Sequence, residues 1–420
     1  MKLLKTSALA LAATMIRVIS ELIVNKFVSV LLGPAGLATV AQFRNFVRVA
    51  MDVAQGATTI GVTKYSAEYG KEDARLPKLF SSATKIALLG SVLIGLLITV
   101  FSTPLSIWLL GSTDFKYLFI IFGFLLVFFV LNNLLLSMMH GLKEINRYIS
   151  INIMQSIYFL ASTPLLIYLF GINGALIAIA TSPAVAFLIV LYKVRKHKTI
   201  CFLNLTRRFD NQEAKKLMKF SAMSLSSAAL VSVTLIFVRN YITTELGEDQ
   251  VGYWQGMWYI STAHVMVLAS TITIYYLPRI SEITDVHELK PQIVLVAKLL
   301  VPAIILSSVI AYVAKDYIIV LLYSSEFMPM AKLFGWQLAG DCVKLVSLLY
   351  ALVITTRGLV FKYILSEVLS HATFYLLIVV LVSTNGLIGT SVAYFVTNCL
   401  YLVLMVWLVK QETNTKQLIN

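Results

Sequence analysis

Charge is scarce in this chain. Only 13% of its 420 residues are Asp, Glu, Lys or Arg, about half the roughly 25% usual in a soluble domain. That shortage excludes a soluble enzyme, and the apolar bulk that replaces it excludes a disordered chain. Cysteine is nearly absent. Cys201, Cys342 and Cys399 lie too far apart for a CxxC pair or a zinc ribbon, so neither a disulfide framework nor a structural metal is expected. The five histidines are scattered, with no HExxH pair. No glycine-rich P-loop occurs, so ATP hydrolysis is not expected and no cofactor is implied.

What fills the chain is hydrocarbon: 59% of residues are hydrophobic and the mean hydropathy is +0.85. A bilayer core takes about 20 apolar residues per helix, at about 1.5 Å of rise per residue. Residues 86–111, 117–139, 148–192, 220–238, 251–277 and 386–409 meet this without one charge. The third stretch is long enough for two spans, and Gly171-Ile172-Asn173-Gly174 divides it as a tight turn would. Residues 6–32, 37–65, 293–313, 333–356 and 363–382 carry a few charges each and complete a set of twelve spans. The first is long, polar in its middle and runs into Gly33-Pro34, unlike a cleaved signal peptide.

The net charge of +14 would suggest a nucleic-acid partner in a soluble protein. Here it is better explained by Lys and Arg held at the cytoplasmic ends of the spans. With the N-terminus inside, 25 Lys and Arg fall on the inner side and 4 on the outer. Both termini are therefore expected to be cytoplasmic, and no nucleic-acid partner is implied. The basic loop from Lys193 to Lys219 reads as an orientation signal lying on the anionic inner leaflet. Within it, Asp210-Asn211-Gln212-Glu213 has capping-box spacing, which predicts the start of a short helix.

The chain also repeats itself. Leu32-Gly33 is echoed by Leu246-Gly247 at an offset of 214, and Lys64 by Arg279 at 215. Gly141-Leu142 is echoed by Gly358-Leu359 at 217, and Asn173-Gly174 by Asn385-Gly386 at 212. Four matches at nearly one offset, each at an equivalent span boundary, imply two six-helix halves. The halves are expected at residues 1–195 and 219–420, joined by a basic linker at 196–218. Transporters built from two such halves carry substrate where the repeats meet, which predicts alternating access.

A charge facing lipid at mid-bilayer costs about 2.5–3.5 kcal/mol on insertion scales, so the intramembrane charges are candidate functional residues. In the second span Arg44, Arg48 and Asp52 follow one another every four residues, on one helical face continued by Gln55. One aspartate cannot neutralise two arginines, so an anion is expected at this face. A pair of guanidinium forks suits a diphosphate. Arg17 and Glu21 stand at i, i+4 in the first span and can pair, as can Asp341 and Lys344 in the tenth. Arg239 ends the seventh span. Arg17, Lys344 and Arg239 join Arg44 and Arg48 as candidate diphosphate ligands. Asp52, Glu21, Asp341 and Glu367 are candidate acidic or coupling groups. His264 and His371 read either as packed hydrogen-bonders or as a proton relay. Tyr253, Trp254 and Trp258 read as sugar-stacking rings or as an interfacial belt.

Several blocks carry a family resemblance. Gly33-Pro34-Ala35-Gly36-Leu37 with Phe43-Arg44, Gly61-Val62-Thr63-Lys64-Tyr65, Val251-Gly252-Tyr253-Trp254-Gln255-Gly256, Tyr276-Leu277-Pro278, Trp336-Gln337-Leu338-Ala339-Gly340-Asp341 with Lys344, and Tyr363-Ile364-Leu365-Ser366-Glu367 are similar to the bacterial O-antigen and lipid III (enterobacterial common antigen) flippases. These belong to the multidrug/oligosaccharidyl-lipid/polysaccharide exporter superfamily, and the similarity runs from the first span to the twelfth. It implies an all-α fold of twelve transmembrane helices in two lobes, V-shaped around a central cavity, in the bacterial inner membrane. It implies as substrate an oligosaccharide on undecaprenyl diphosphate, flipped from the cytoplasmic to the periplasmic face, with the polyprenyl tail left among membrane lipids. It places Arg44, Asp341, Lys344 and Glu367 in matched motifs. A polysaccharide polymerase and a chain-length regulator would be its working partners. The competing readings are a drug or organic-cation antiporter of the same superfamily, which needs an acid-dominated cavity, and a membrane-embedded polymerase, which needs long outer loops. The positive-inside count makes a direct prediction. A reporter active only in the periplasm is expected to be silent when fused after Gln411 and active when inserted after Ser112, and the reverse pattern would overturn the orientation.

Overall fold

The computed structural model describes residues 2–417 apart from 57, 196, 198, 201–204, 206–208, 283–285 and 358. The side chains of 2–15, 17, 219–229 and some others also lie outside the described set. Among the described residues the chain is helical throughout, with no strand. Thirteen α-helices follow in order: α1 (Lys2–Ala54), α2 (Thr58–Tyr69), α3 (Leu76–Val100), α4 (Ser102–Leu110), α5 (Lys116–Gly141), α6 (Ile145–Val194), α7 (Asn211–Leu246), α8 (Glu248–Glu282), α9 (Val286–Val313), α10 (Lys315–Leu322), α11 (Phe334–Thr356), α12 (Val360–Asn385) and α13 (Ile388–Gln417). Eight helical segments of the described residues are long and apolar enough to cross a membrane. The protein is a multi-pass membrane protein, and ten of the twelve stretches read from the sequence coincide with a helix or a limb of one, while 37–65 and 86–111 each run over two helices.

The two longest helices are each two limbs joined at a glycine. Gly33 bends α1 with φ 65° and Gly171 bends α6 with φ 57°. Only glycine takes such angles without a Cβ penalty, and Pro34 then removes a ladder donor on the far side of the bend. These two positions expose the duplication directly. Gly247 (φ 92°) lies 214 residues after Gly33, and Gly386 (φ 59°) lies 215 after Gly171. The sequence match of Gly174 with Gly386 is thus three residues out of register. Gly174 corresponds instead to Gly389. A Cβ on Gly174 would meet the Leu166 carbonyl oxygen at 1.8 Å, and one on Gly389 would meet that of Leu381 at 2.1 Å. The short helix α4 after α3 likewise has its echo in α10 after α9.

Two expected spans change shape. The third starts ten residues before its uncharged stretch, at Leu76, with Pro77 in the first turn of α3. Lys78 and Lys85 ride on this end, where long stems can carry their charge out of the apolar layer. The second is interrupted: α1 stops at Ala54, a turn follows at Gln55-Gly56, and α2 resumes at Thr58.

The chain forms two compact units, one of residues 1–32 and 39–233, the other of 33–38 and 234–420. In the first, an aromatic cluster binds α1 to α5, with Phe43 edge-on to Phe119 at 5.5 Å and Phe122 edge-on to Phe129 at 5.3 Å. In the second, Ala38, Val238, Trp254, Ile378 and Tyr394 share one core cluster. At the start of α7 the predicted cap is present. Asp210 Oδ1 accepts the backbone N–H groups of Gln212 (2.9 Å) and Glu213 (3.1 Å), which holds its carboxyl below the ordinary range. The helix it starts runs for 36 residues rather than being short. Glu213 does not reach back to close the box; Tyr69 donates to its Oε2 at 3.0 Å and Lys216 to its Oε1 at 2.7 Å.

The paired glycines generate a prediction. Gly174→Ala and Gly389→Ala each force a methyl against a backbone carbonyl, so each is expected to cost about 2 kcal/mol or more. Thermal unfolding in detergent should show equal losses if the two turns are structural equivalents.

Candidate functional site

In the first unit the polar face of α1 forms as its periodicity requires. Arg44 is half-buried and donates from Nη1 to Asn25 Oδ1 at 3.4 Å. Arg48, one turn on, is exposed and makes no ion pair within 4 Å among the described residues. Asp52 follows, half-buried. Gln55 closes the stripe; it is buried, and its Nε2 has no hydrogen-bond partner. Glu21 is exposed on the first limb. The side chain of Arg17 lies outside the described residues, so the Arg17–Glu21 pair does too.

Beside this stripe lies a cavity of about 230 Å³ that reasoning from charges overlooked. Glu21, Asn132, Asn133, Asn152, Gln155 and Ser182 supply its polar wall, and Met51 of the arginine-bearing limb closes one side. Asn152, Gln155 and Ser156 share one face of α6 by their spacing. Gln155 is fixed by donating to Asn132 Oδ1 at 2.9 Å and to the Ala186 carbonyl at 3.2 Å. The signal was present in the sequence: carboxamides recur inside spans four and five, where apolar side chains are the rule.

In the second unit the candidates gather around Asp341, which is fully buried. Its Oδ1 accepts from Ser261 at 2.6 Å and from Tyr394 at 2.9 Å. His264 Nδ1 lies 3.2 Å from Oδ2, and His264 Nε2 lies 3.1 Å from Ser307 Oγ. Gln337 extends the chain, donating to Ser261 at 3.1 Å and accepting from Ser391 at 3.2 Å. Four helices, α8, α9, α11 and α13, are tied together by this one carboxylate and its partners. Three donors around a carboxyl are what its burial demands, since a bare one is far too costly in an apolar interior. The expected Asp341–Lys344 pair does not form. Lys344 lies over the Tyr394 ring instead, at 5.7 Å. His371 Nε2 lies 3.9 Å from Glu367 Oε2, an ion pair only when the imidazole is protonated, and Tyr401 donates to Glu367 at 2.6 Å.

Arg239 is only 2% exposed. Its Nε donates to Gln255 Oε1 at 2.8 Å and its guanidinium lies 5.7 Å from the Trp254 ring. That guanidinium is taken up by its own unit. Of the aromatic trio Trp254 belongs to the core, while Tyr253 and Trp258 are half-buried. Trp254 is 1% exposed, Trp258 packs on Trp254, Phe374 and Tyr394, and Tyr253 packs edge-on against Phe327.

With this geometry in place, comparison with known proteins is informative. The model of the polysaccharide biosynthesis protein family matches residues 3–284. The chain is 29% identical over 401 residues to the lipid III flippase of Escherichia coli (strain K12), covering 96% of each protein. It is equally similar to the lipid III flippase of Shigella flexneri. Among solved structures it resembles an inward-facing multidrug resistance MATE family transporter of the MOP superfamily, with a TM-score of 0.78 at 17% identity over 95% of each chain. It also resembles the lipid II flippase MurJ in an inward closed conformation, with a TM-score of 0.73 at 15% identity, over 97% of this chain and 87% of that one. At such identities the structural likeness shows the fold alone. The curated relatives are named as flippases, which are transporters and not enzymes.

Removing the shared acceptor of the second unit tests its architecture. Asp341→Ala strands two hydroxyls and an imidazole inside the core and is expected to cost on the order of 2–4 kcal/mol. Asp341→Asn keeps an accepting oxygen and should lose less, as read from denaturation midpoints in detergent.

Proposed function

The chain belongs to the polysaccharide biosynthesis protein family, and from that premise we propose that it flips an oligosaccharide linked to a polyprenyl diphosphate from the cytoplasmic to the periplasmic leaflet. The observation that carries this reading is Arg48. Its guanidinium stands exposed inside a membrane span, without an ion pair within 4 Å among the described residues, one turn from Arg44. A cation in that setting has strong reason to bind an anion, because the low dielectric around it magnifies the attraction. A diphosphate presents oxygens at the spacing of a guanidinium fork. The names of the full-length relatives, lipid III flippases over 96% of their length, support the same substrate class.

In this reading Arg44 and Arg48 hold the diphosphate while the polyprenyl tail stays in lipid. Asp52, one turn beyond Arg48, moderates the affinity so that the anion is released. Asp341 with His264, and Glu367 with His371, are the groups through which a proton gradient would act on the second unit. Lys344 assists in binding the anion, and Glu21 stands with the acidic set. Arg17 stands beside Arg44 and Arg48 in the proposal from its sequence position. Arg239 serves packing instead. The protein works by alternating access between halves 1–195 and 219–420, in the bacterial inner membrane with both termini cytoplasmic. Its product passes to a polysaccharide polymerase and its chain-length regulator.

Transport of a labelled polyprenyl-diphosphate saccharide in proteoliposomes tests the proposal. Arg48→Ala is expected to lower the rate at least about tenfold, equivalent to about 1.4 kcal/mol of lost interaction. Arg48→Lys should retain part of it, because a point charge attracts the anion without the bidentate fork. Unimpaired transport by the alanine variant would refute the anion site.

A further inference from the structure

One side-chain bond ties the two limbs of α1 together within the span. Asn25 stands eight residues before Gly33 and Arg44 eleven after it, so they lie roughly 12 and 17 Å from the bend, at similar depth. Arg44 Nη1 donates to Asn25 Oδ1 at 3.4 Å. Among the described residues this is the single hydrogen bond of the Arg44 guanidinium, which forms no ion pair within 4 Å. Asp52, the acid on its own helical face, stands eight residues or about 12 Å further along. Asn25 is only 5% exposed, with Val24 and Val28 beside it fully buried, so packing fixes where its oxygen points. Arg44 is half-buried and keeps part of its surface accessible.

The chemistry of the acceptor decides what Arg44 can still do. An arginine stem carries much rotamer freedom, and a fixed acceptor removes part of it. A carboxylate would hold the guanidinium more firmly but would also offset its charge before any ligand arrived. A carboxamide oxygen holds it and leaves the full charge. It engages one of five N–H donors. Because that donor is on Nη1, the edge formed by Nε and Nη2 stays whole, and such an edge grips two phosphate oxygens in parallel. The second half shows the same device closed. Arg239 lies 214 residues after Asn25, the offset that separates Gly33 from Gly247. There the roles are exchanged, with Arg239 Nε donating to Gln255 Oε1 at 2.8 Å. Equivalent helix pairs are thus tied by an arginine and a carboxamide in both halves. In the second the guanidinium is sealed, 2% exposed and against Trp254; in the first it is left partly open.

We propose that Asn25 is a positioning residue of the anion site: its neutral carboxamide holds Arg44 ready for a phosphate without spending the charge. The proposal rests on the flippase reading of Arg44 and Arg48. Asn25 acts through Arg44, so its contribution vanishes when Arg44 cannot bind. The charge at position 25, rather than the strength of the tie between the limbs, governs affinity. An acidic side chain there ties the limbs more tightly and binds the anion worse.

The test is binding of farnesyl diphosphate to the purified full-length protein in detergent, by calorimetry, with thermal midpoints measured alongside. Asn25→Asp matches the original side chain in shape and keeps the acceptor. It is expected to hold or raise the midpoint and yet weaken binding at least about tenfold, since its charge offsets that of Arg44 in a low dielectric. Asn25→Leu removes the acceptor and is expected to weaken binding about threefold by freeing the guanidinium. In an Arg44→Gln background Asn25→Leu should cause no further loss, as a double-mutant cycle requires of a residue acting through another. Unchanged affinity in Asn25→Asp shows a tie between limbs and nothing more, and overturns the proposal. So does a loss from Asn25→Leu that persists without Arg44. If Asn25→Asp fails to fold, the cycle with Asn25→Leu decides alone. The flippase reading survives either result if Arg48→Ala weakens farnesyl diphosphate. Absence of binding by the unsubstituted protein defeats both.

Discussion

A polar group inside a hydrocarbon layer has no water to turn to, and that constraint arranges both units of this protein. Each one carries polar side chains in its interior, and each meets the constraint differently. The second unit answers it by closure. Asp341 gathers Ser261, Tyr394 and His264, so one carboxylate organises four helices and each of its oxygens has a polar partner. Such a network is stable only when complete. It therefore defines the relative placement of α8, α9, α11 and α13 more sharply than interchangeable Leu and Val contacts do. The first unit leaves groups open. Asn133 and Tyr158 line a cavity without a hydrogen-bond partner among the described residues, and Arg48 is exposed, so here polar groups are left open where the second unit encloses them.

Much of the fold was legible from hydrophobic run length, because the thickness of a bilayer is a severe ruler. Glycine and proline marked the bends at 33 and 171 for the same backbone reasons that produce them in space. What the sequence hid was tertiary pairing. Nothing local announces that Asp341 will take Ser261, 80 residues away, over Lys344 on the next turn. The repeat was visible, but its register at the sixth span was not, since an Asn-Gly match looked stronger than the geometrically equivalent Gly171 and Gly386. The aromatic run at 253–258 resembled a membrane belt because composition cannot tell a ring at an interface from one packed against Phe374 and Tyr394. The carboxamide cavity was missed because charges, being costlier, drew attention from uncharged polar groups.

The duplication bears on how function is divided. The two halves repeat their bends, their short helices and their tight glycine turns, so the scaffold is shared. Among the described residues the polar interiors are not repeated. The arginine stripe and carboxamide cavity belong to one unit and the carboxylate network to the other. A duplicated backbone has thus been furnished with two different sets of polar side chains.

The interruption after Ala54 has a mechanical meaning. A helix conveys rotation along its length through an unbroken run of hydrogen bonds. At Gln55-Gly56 that run gives way to a turn, with Gly56 N–H on the Val53 carbonyl and Thr58 N–H on that of Gln55. The limb bearing Arg48 and Asp52 is thereby uncoupled in torsion from α2. Either segment can twist about its own axis while the other keeps its footing, as a universal joint lets one shaft turn against another.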